Sequence, residues 1–239
     1  ISAAHGAGAA APAFASLSTG FVSTLGSAAG GAAGARLEPA TSVSYPAELC
    51  HVARPCASLA GLGVRAKRLL GLKNINVYAV GIYVDALSAK KALSKYADDG
   101  EDAIAANAAM FDDVVRSSSF EKSLRLVISF GHLKRSQFLD ALHERLEPRM
   151  AKAGDAAALK AFRAQFDDVT LQKGTEIVFV NEGAGLVTSV DGMRKGRVTS
   201  PALCASLFDI YLGPDPVAPD AKASFGRSVA SILKSERVL

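Results

Sequence analysis

GLGVRAKRLLGLKNINVYAVGIYVD, residues Gly61 to Asp85, carries one cation, Arg65, at a glycine-flanked bend and then enters an almost uncharged run of β-branched and aromatic residues. Strand side chains alternate between faces. A strand over Leu72–Asp85 therefore lines up Tyr78, Val80, Ile82 and Val84 on one apolar face. A phenol on that face with a guanidinium just upstream makes an anion-binding corner beside an apolar chamber. A lone Arg near a strand is also the commonest kind of solvated surface charge, and a strand Tyr the commonest kind of core residue with its hydroxyl at the rim. The pattern alone leaves both readings open.

Working outward, strands come first and again late, with helices in separate blocks. Thr41–Tyr45 and His51–Val52 read as a first strand pair, punctuated by Pro46 and Pro55. Ala86–Met110 reads as helical, broken at Asp98-Asp99-Gly100. Ser123–Phe130 sets Leu124, Leu126, Ile128 and Phe130 against Ser123, Arg125 and Ser129, the pattern of a half-buried strand. Ser136 reads as the cap of a helix ending near Pro148, with Phe138, Leu139, Leu142 and Leu146 on one stripe. Asp155–Phe166 is a further helix. Thr175–Asn181 and Leu186–Val190 form a hairpin across Glu182–Gly185, and Asp191-Gly192 makes the next turn. Ser200-Pro201 starts a helix that Gly213-Pro214 stops, and Ala221–Lys234 is the last helix. Antiparallel hairpins with helices grouped apart predict an α+β fold rather than a doubly wound sheet.

Residues 1–36 are different material, with 13 Ala, 7 Gly and 5 Ser, no acid, and Arg36 as the one permanent charge. Such a stretch buries too little apolar surface to offset its ordering entropy. It reads as a disordered leader, the remnant of an organelle transit peptide, and its scarcity of Arg points to a plastid, hence the chloroplast stroma; simple low complexity is the alternative. Residues 37–239 then form the folded domain.

The apolar fraction is 49%, yet no run of about 18 uncharged apolar residues occurs. No membrane-spanning helix is expected, and the excess fits a protein with a greasy interior. A net charge of +4 without a basic stripe or aromatic RNA-binding motif argues against nucleic acid. Cys50, Cys56 and Cys204 lack zinc-type spacing and are expected as small core residues in a reducing compartment. His51, His132 and His143 show no ligand pattern, so no metal site is expected, and no cofactor fingerprint follows Gly61-x-Gly63 or Gly183-x-Gly185.

The opening segment resembles the G-x-G-x-R … K-x-Y-A-x-G-x-Y segment of the chalcone isomerase fold, above all its non-catalytic plastid fatty-acid-binding branch. The resemblance runs from about residue 37 to 235, through Ser119–Ile128 (SFEKSLRLVI), Phe138–Met150 (FLDALHERLEPRM) and Val198–Lys222 (VTSPALCASLFDIYLGPDPVAPDAK). It implies an open-faced β-sandwich, a large antiparallel sheet backed by helices. It also implies that Arg65 and Tyr78 hold a fatty-acid carboxylate.

In the isomerases, which close a flavanone ring, the matching positions hold a cation at Arg65, a Thr where this chain has Tyr78, and a Tyr where it has Phe138. Their helical Asn falls near Arg145. A Tyr ring fills space that the chalcone needs, and Phe cannot donate a hydrogen bond. Losing oxyanion donors worth about 3 kcal/mol each argues for binding over turnover. For a fatty acid, the guanidinium fork suits a carboxylate, and about 0.8 kcal/mol per buried methylene supplies affinity. The expected chamber walls are Val80, Ile82, Leu126, Phe138, Leu142, Leu203 and Leu207, each of which is equally an ordinary core position. A chalcone–flavanone isomerase, or a non-catalytic helper of biosynthetic enzymes, are the alternatives.

Overall fold

The structure, a computed structural model, describes residues 34–50, 55–69 and 73–235. The leader up to residue 33, and with it most of the expected disordered segment, lies outside the described residues, as does the strand expected at His51–Val52.

The described chain begins with a small hairpin, β1 (Arg36–Glu38) against β2 (Val43–Tyr45). A seven-stranded antiparallel sheet follows in strict chain order: β3 (Glu48–Leu49), β4 (Ala57–Leu69), β5 (Lys73–Val84), β6 (Lys122–Ile128), β7 (Glu176–Glu182), β8 (Gly185–Val190) and β9 (Met193–Thr199). Between β5 and β6 come α1 (Ala86–Ala92), a 3₁₀ turn (Ser94–Tyr96), α2 (Glu101–Ala106) and α3 (Ala108–Arg116). Between β6 and β7 come α4 (Arg135–Ala153) and α5 (Ala156–Ala164), and α6 (Pro201–Leu212) and α7 (Pro219–Lys234) close the chain. The fold is α+β, as the grouping of hairpins and helices predicts.

Local chemistry explains most boundaries. Asp85, Asn107 and Asp155 accept backbone N–H bonds at the starts of α1, α3 and α5. Ser200 caps α6 by accepting from the Leu203 N–H at 3.1 Å, with Pro201 inside the first turn. The Ser200 hydroxyl also donates to Asp155 at 2.6 Å, which joins the N-terminal caps of α5 and α6.

The main core lies between the sheet and the helices. Tyr78, Val80, Ile82 and Val84 all point into it and are fully buried, as the alternation predicts. The opposite face of the sheet is covered by the β1–β2 hairpin, with Tyr45 packed among Ala57, Ala79, Tyr83 and Val127. That second cover alters the reading of β6. Ser123 is fully buried rather than exposed, so the strand is buried on both faces instead of half-buried.

Three further local readings change. Arg65 does not sit at a bend, because β4 runs straight through it for 13 residues. Gly61 and Gly63 are needed inside that strand by α7. A Cβ on Gly61 would lie 2.7 Å from the Ala221 carbonyl oxygen, and one on Gly63 would lie 2.6 Å from the Ala221 nitrogen. Helix α4 begins at Arg135, ahead of Ser136, with the Gln137 side chain accepting from the Lys134 N–H at 3.0 Å. It also passes through Pro148, which is exposed, while Leu146 and Met150 on either side are buried in the core and hold the turn in place.

The cysteines divide. Cys204 is buried and free, as expected, but Cys50 and Cys56 form a disulfide near the surface. The cause is strand pairing: Leu49 faces Ala57 across β3 and β4, so the residues just beyond them are brought together. Among the described residues, Glu48 with these two sulfurs is the one grouping of three potential metal donors. Bonded to each other, the sulfurs are not thiolate ligands.

Candidate functional site

Strand register builds the site. Arg65 on β4 stands directly opposite Tyr78 on β5, so both side chains share the helix-covered face. The register shifts immediately afterwards, because Ala66 pairs with Asn76 and leaves Val77 as an extra residue in β5. The bulge lets the consecutive residues Val77 and Tyr78 both pack on the main core. The freed Val77 carbonyl accepts from the N–H groups of Ser129 and Phe130, at 3.0 and 3.2 Å.

The Arg65 guanidinium donates to the Tyr78 hydroxyl at 3.4 Å, and its carbon lies 5.6 Å from the centre of the Tyr78 ring. The Tyr78 hydroxyl is 2.9 Å from that of Tyr211 on α6. Both tyrosines are fully buried, whereas Arg65 remains partly exposed. Burial holds the Tyr211 phenol far above its ordinary pKa, so it stays neutral. Burial works against the Arg65 charge, but the tyrosine oxygens outweigh it and the group holds its proton more tightly than usual. Among the described residues no carboxylate lies within ion-pair distance of Arg65. A guanidinium with two hydrogen-bonded tyrosine hydroxyls behind it is left to face the exterior.

What it faces is an apolar cleft of about 140 Å³. Ile75, Val77, Phe130, Leu133, Phe138 and Ala141 form its walls, with Lys67 and Gln137 as the other polar residues of the lining. No carboxylate, imidazole or thiol lines it. Such a surface can pair an anion but lacks the groups that most often move protons. Phe138 closes the inner end, with its ring 6.2 Å from that of Tyr78 and 6.0 Å from that of Phe166.

Arg65 and Tyr78, expected from sequence as one site, are thus in contact. Of the seven expected chamber walls, Phe138 lines this cleft. Val80, Ile82, Leu126, Leu142, Leu203 and Leu207 are packed in the main core, each at most 1% exposed. Tyr211 was not expected. It lies in an apolar helical run, and only the contact between α6 and the sheet gives its hydroxyl a role. Arg145, the position nearest the isomerases' Asn, pairs instead with Asp215 at 2.6 Å on the outside of α4.

Comparison with known proteins gives a consistent picture. The family described as chalcone isomerase like matches residues 56–226. Fatty-acid-binding protein 1 of Arabidopsis thaliana is 33% identical over 202 residues, covering 82% of this chain and 71% of the relative. A chalcone–flavanone isomerase of Oryza sativa subsp. japonica is 32% identical over 205 residues, covering 77% of this chain and 87% of the relative. The crystal structure of an Arabidopsis thaliana fatty-acid-binding protein superimposes with a TM-score of 0.76 at 31% identity, covering 84% of this chain and all of the other. Binders and isomerases are therefore similar to this chain to nearly the same degree, and the residues at the cleft must separate them.

Proposed function

The chain belongs to the chalcone isomerase-like family, and from that premise we propose that it is a non-catalytic fatty-acid-binding protein whose ligand carboxylate pairs with Arg65, which the buried Tyr78 hydroxyl holds from behind. One observation carries the reading. Arg65 is a partly buried cation that has a phenol hydroxyl as its partner and opens onto an apolar cleft. A carboxylate drawn out of water requires a charge-assisted donor, and the planar guanidinium can engage both of its oxygens. The acyl chain would lie along the apolar wall that Val77, Leu133 and Phe138 provide.

Phe138 supports binding over ring closure. Its ring stands at the inner end of the cleft and offers no hydroxyl to developing oxyanion charge. Tyr78, the bulkier replacement on the strand, has its hydroxyl directed to Tyr211. The role proposed is in plastid fatty-acid metabolism in the chloroplast stroma, a placement supported by the acid-free, Ala- and Ser-rich leader.

Calorimetric titration with hexanoate, laurate and palmitate, each against its methyl ester, tests the site. Acids should bind one per chain and esters at least tenfold more weakly. Equal binding would remove the carboxylate from the account. Naringenin chalcone should cyclise no faster with the protein than in buffer, and saturable acceleration that copurifies with the chain would replace binding with catalysis.

A further inference from the structure

We propose that Phe138 sets the length of carboxylate that the cleft accepts, and that with this ring in place the site favours short chains of about six carbons. The inference rests on the carboxylate reading above and adds the ligand class to it. Its basis is volume. An apolar cavity of roughly 150 Å³ holds one benzene-sized group, and the cleft beside Arg65 measures about 140 Å³. That is room for about six carbons, too little for the whole of a long acyl chain.

The obstruction is one side chain. Phe138 is 2% exposed, lines the cleft, and places its far side against Phe166. Beyond it lies a continuous aromatic layer. Phe166 contacts Phe162 at 5.6 Å and Phe179 at 6.3 Å, and Phe162 contacts Phe179 at 5.7 Å. None of these three lines the cleft. Phe138 is thus the partition between the opening and a deeper, largely aromatic region. Of the side chains around the cleft, it alone has Tyr78 on one side and that aromatic layer on the other. A chain entering from Arg65 gains about fourfold in affinity per methylene while it covers apolar wall. Once it reaches the ring, further methylenes stay in water or must displace a packed aromatic contact, and the gain ceases.

The experiment is a calorimetric series of straight-chain carboxylates from four to sixteen carbons, kept below their micelle concentrations, with wild type, Phe138→Leu and Phe138→Ala. For wild type, affinity should climb about fourfold per methylene to six or eight carbons and then level off or fall. In both variants the break should move out by at least two carbons, further for Ala than for Leu. Melting temperatures identify a variant that has lost its fold, and Leu keeps enough apolar volume to supply the result if Ala does not. A wild-type series that climbs smoothly to sixteen carbons overturns the length limit and leaves the carboxylate site standing. A break that stays at the same length in Phe138→Leu overturns the role of this ring. No binding at any length, in wild type, would overturn the carboxylate reading itself and this inference with it.

Discussion

Two arginines stand on opposite faces of the same sheet, each against a tyrosine ring, and they differ in what pairs with the charge. Arg125 on β6 lies 4.8 Å from the centre of the Tyr45 ring, pairs with Glu176 at 2.6 Å, and donates to the Ser44 carbonyl at 3.0 Å. It therefore ties the β1–β2 hairpin to the sheet, and its charge is consumed within the protein. Arg65 has the ring and a phenol, but among the described residues no carboxylate within ion-pair distance. The contrast separates a cation with an ion-pair partner from one with none among the described residues, the feature on which the proposed carboxylate site rests.

Exchanging the two should give the largest effects. Arg65→Ala should weaken hexanoate binding by about 2–5 kcal/mol, the usual cost of truncating one partner of a buried charge pair, and leave the melting temperature nearly unchanged. Arg125→Ala should do the reverse. Loss of its charged hydrogen bonds should cost about 2–3 kcal/mol of stability with little change in affinity. Denaturant unfolding and calorimetry on both variants check the pair. If both lose binding equally, the distinction between the faces collapses.

The same contrast shows which parts of the molecule could be read from sequence. The Tyr78–Val80–Ile82–Val84 stripe, the Ser200-Pro201 helix start and the β7–β8 hairpin depend on neighbours in the chain, and local patterning revealed them. The bulge at Val77, the glycines of β4 and the Cys50–Cys56 bond depend on partners elsewhere in the fold. Ala221 excludes a side chain at Gly63 from 158 positions away, which no window over Gly61–Arg65 contains. Tyr211 was missed for the same reason. The Arg65–Tyr78 pairing was legible because one strand register suffices to create it.

Tyr211 offers a finer test of the proposed carboxylate site. Its hydroxyl is the inner partner of Tyr78, so Tyr211→Phe leaves a buried phenol with only the long contact to Arg65. An under-satisfied buried group costs about 1–3 kcal/mol, and that much stability should be lost. Carboxylate affinity should fall by less than tenfold, because the cation remains. A loss as large as that of Arg65→Ala would make Tyr211 a direct ligand group.

A third cation belongs to neither class. Lys122 on β6 is fully buried, donates to the Ser117 carbonyl, and lies 5.5 Å from the centre of the Phe120 ring and 5.1 Å from that of Phe208. Burial pushes its pKa down from 10.5 to about 8. Between these values the unfolded chain holds a proton that the folded one has released, so stability rises with pH. Cys204 opposes this, since burial raises its thiol from 9.0 to about 11 and favours unfolding above pH 9. The buried phenols of Tyr45 and Tyr83, also raised by burial, add to that loss above pH 10. Stability should therefore climb by about 1 kcal/mol from pH 7 to 9 and then turn over. Urea midpoints across this range should lose the climb in Lys122→Met, and an unchanged slope would mean that Lys122 is not its source.

The smallest effect expected is at Lys67, the second cation of the cleft lining. It is exposed, whereas Arg65 is partly buried, and exposed charges contribute under about 1 kcal/mol. Such a contribution acts through water and is screened within about 8–10 Å at ordinary salt. Lys67→Ala should therefore weaken hexanoate binding two- to fourfold in low salt and almost not at all near 1 M salt. The loss from Arg65→Ala should persist at both, since a desolvated pair is screened far less. Dissociation constants for both variants at two salt concentrations separate the cases. Should Lys67→Ala match Arg65→Ala at high salt, the anion lies between the two cations. Arg65 would then no longer be the single charge that distinguishes this face of the sheet from the other.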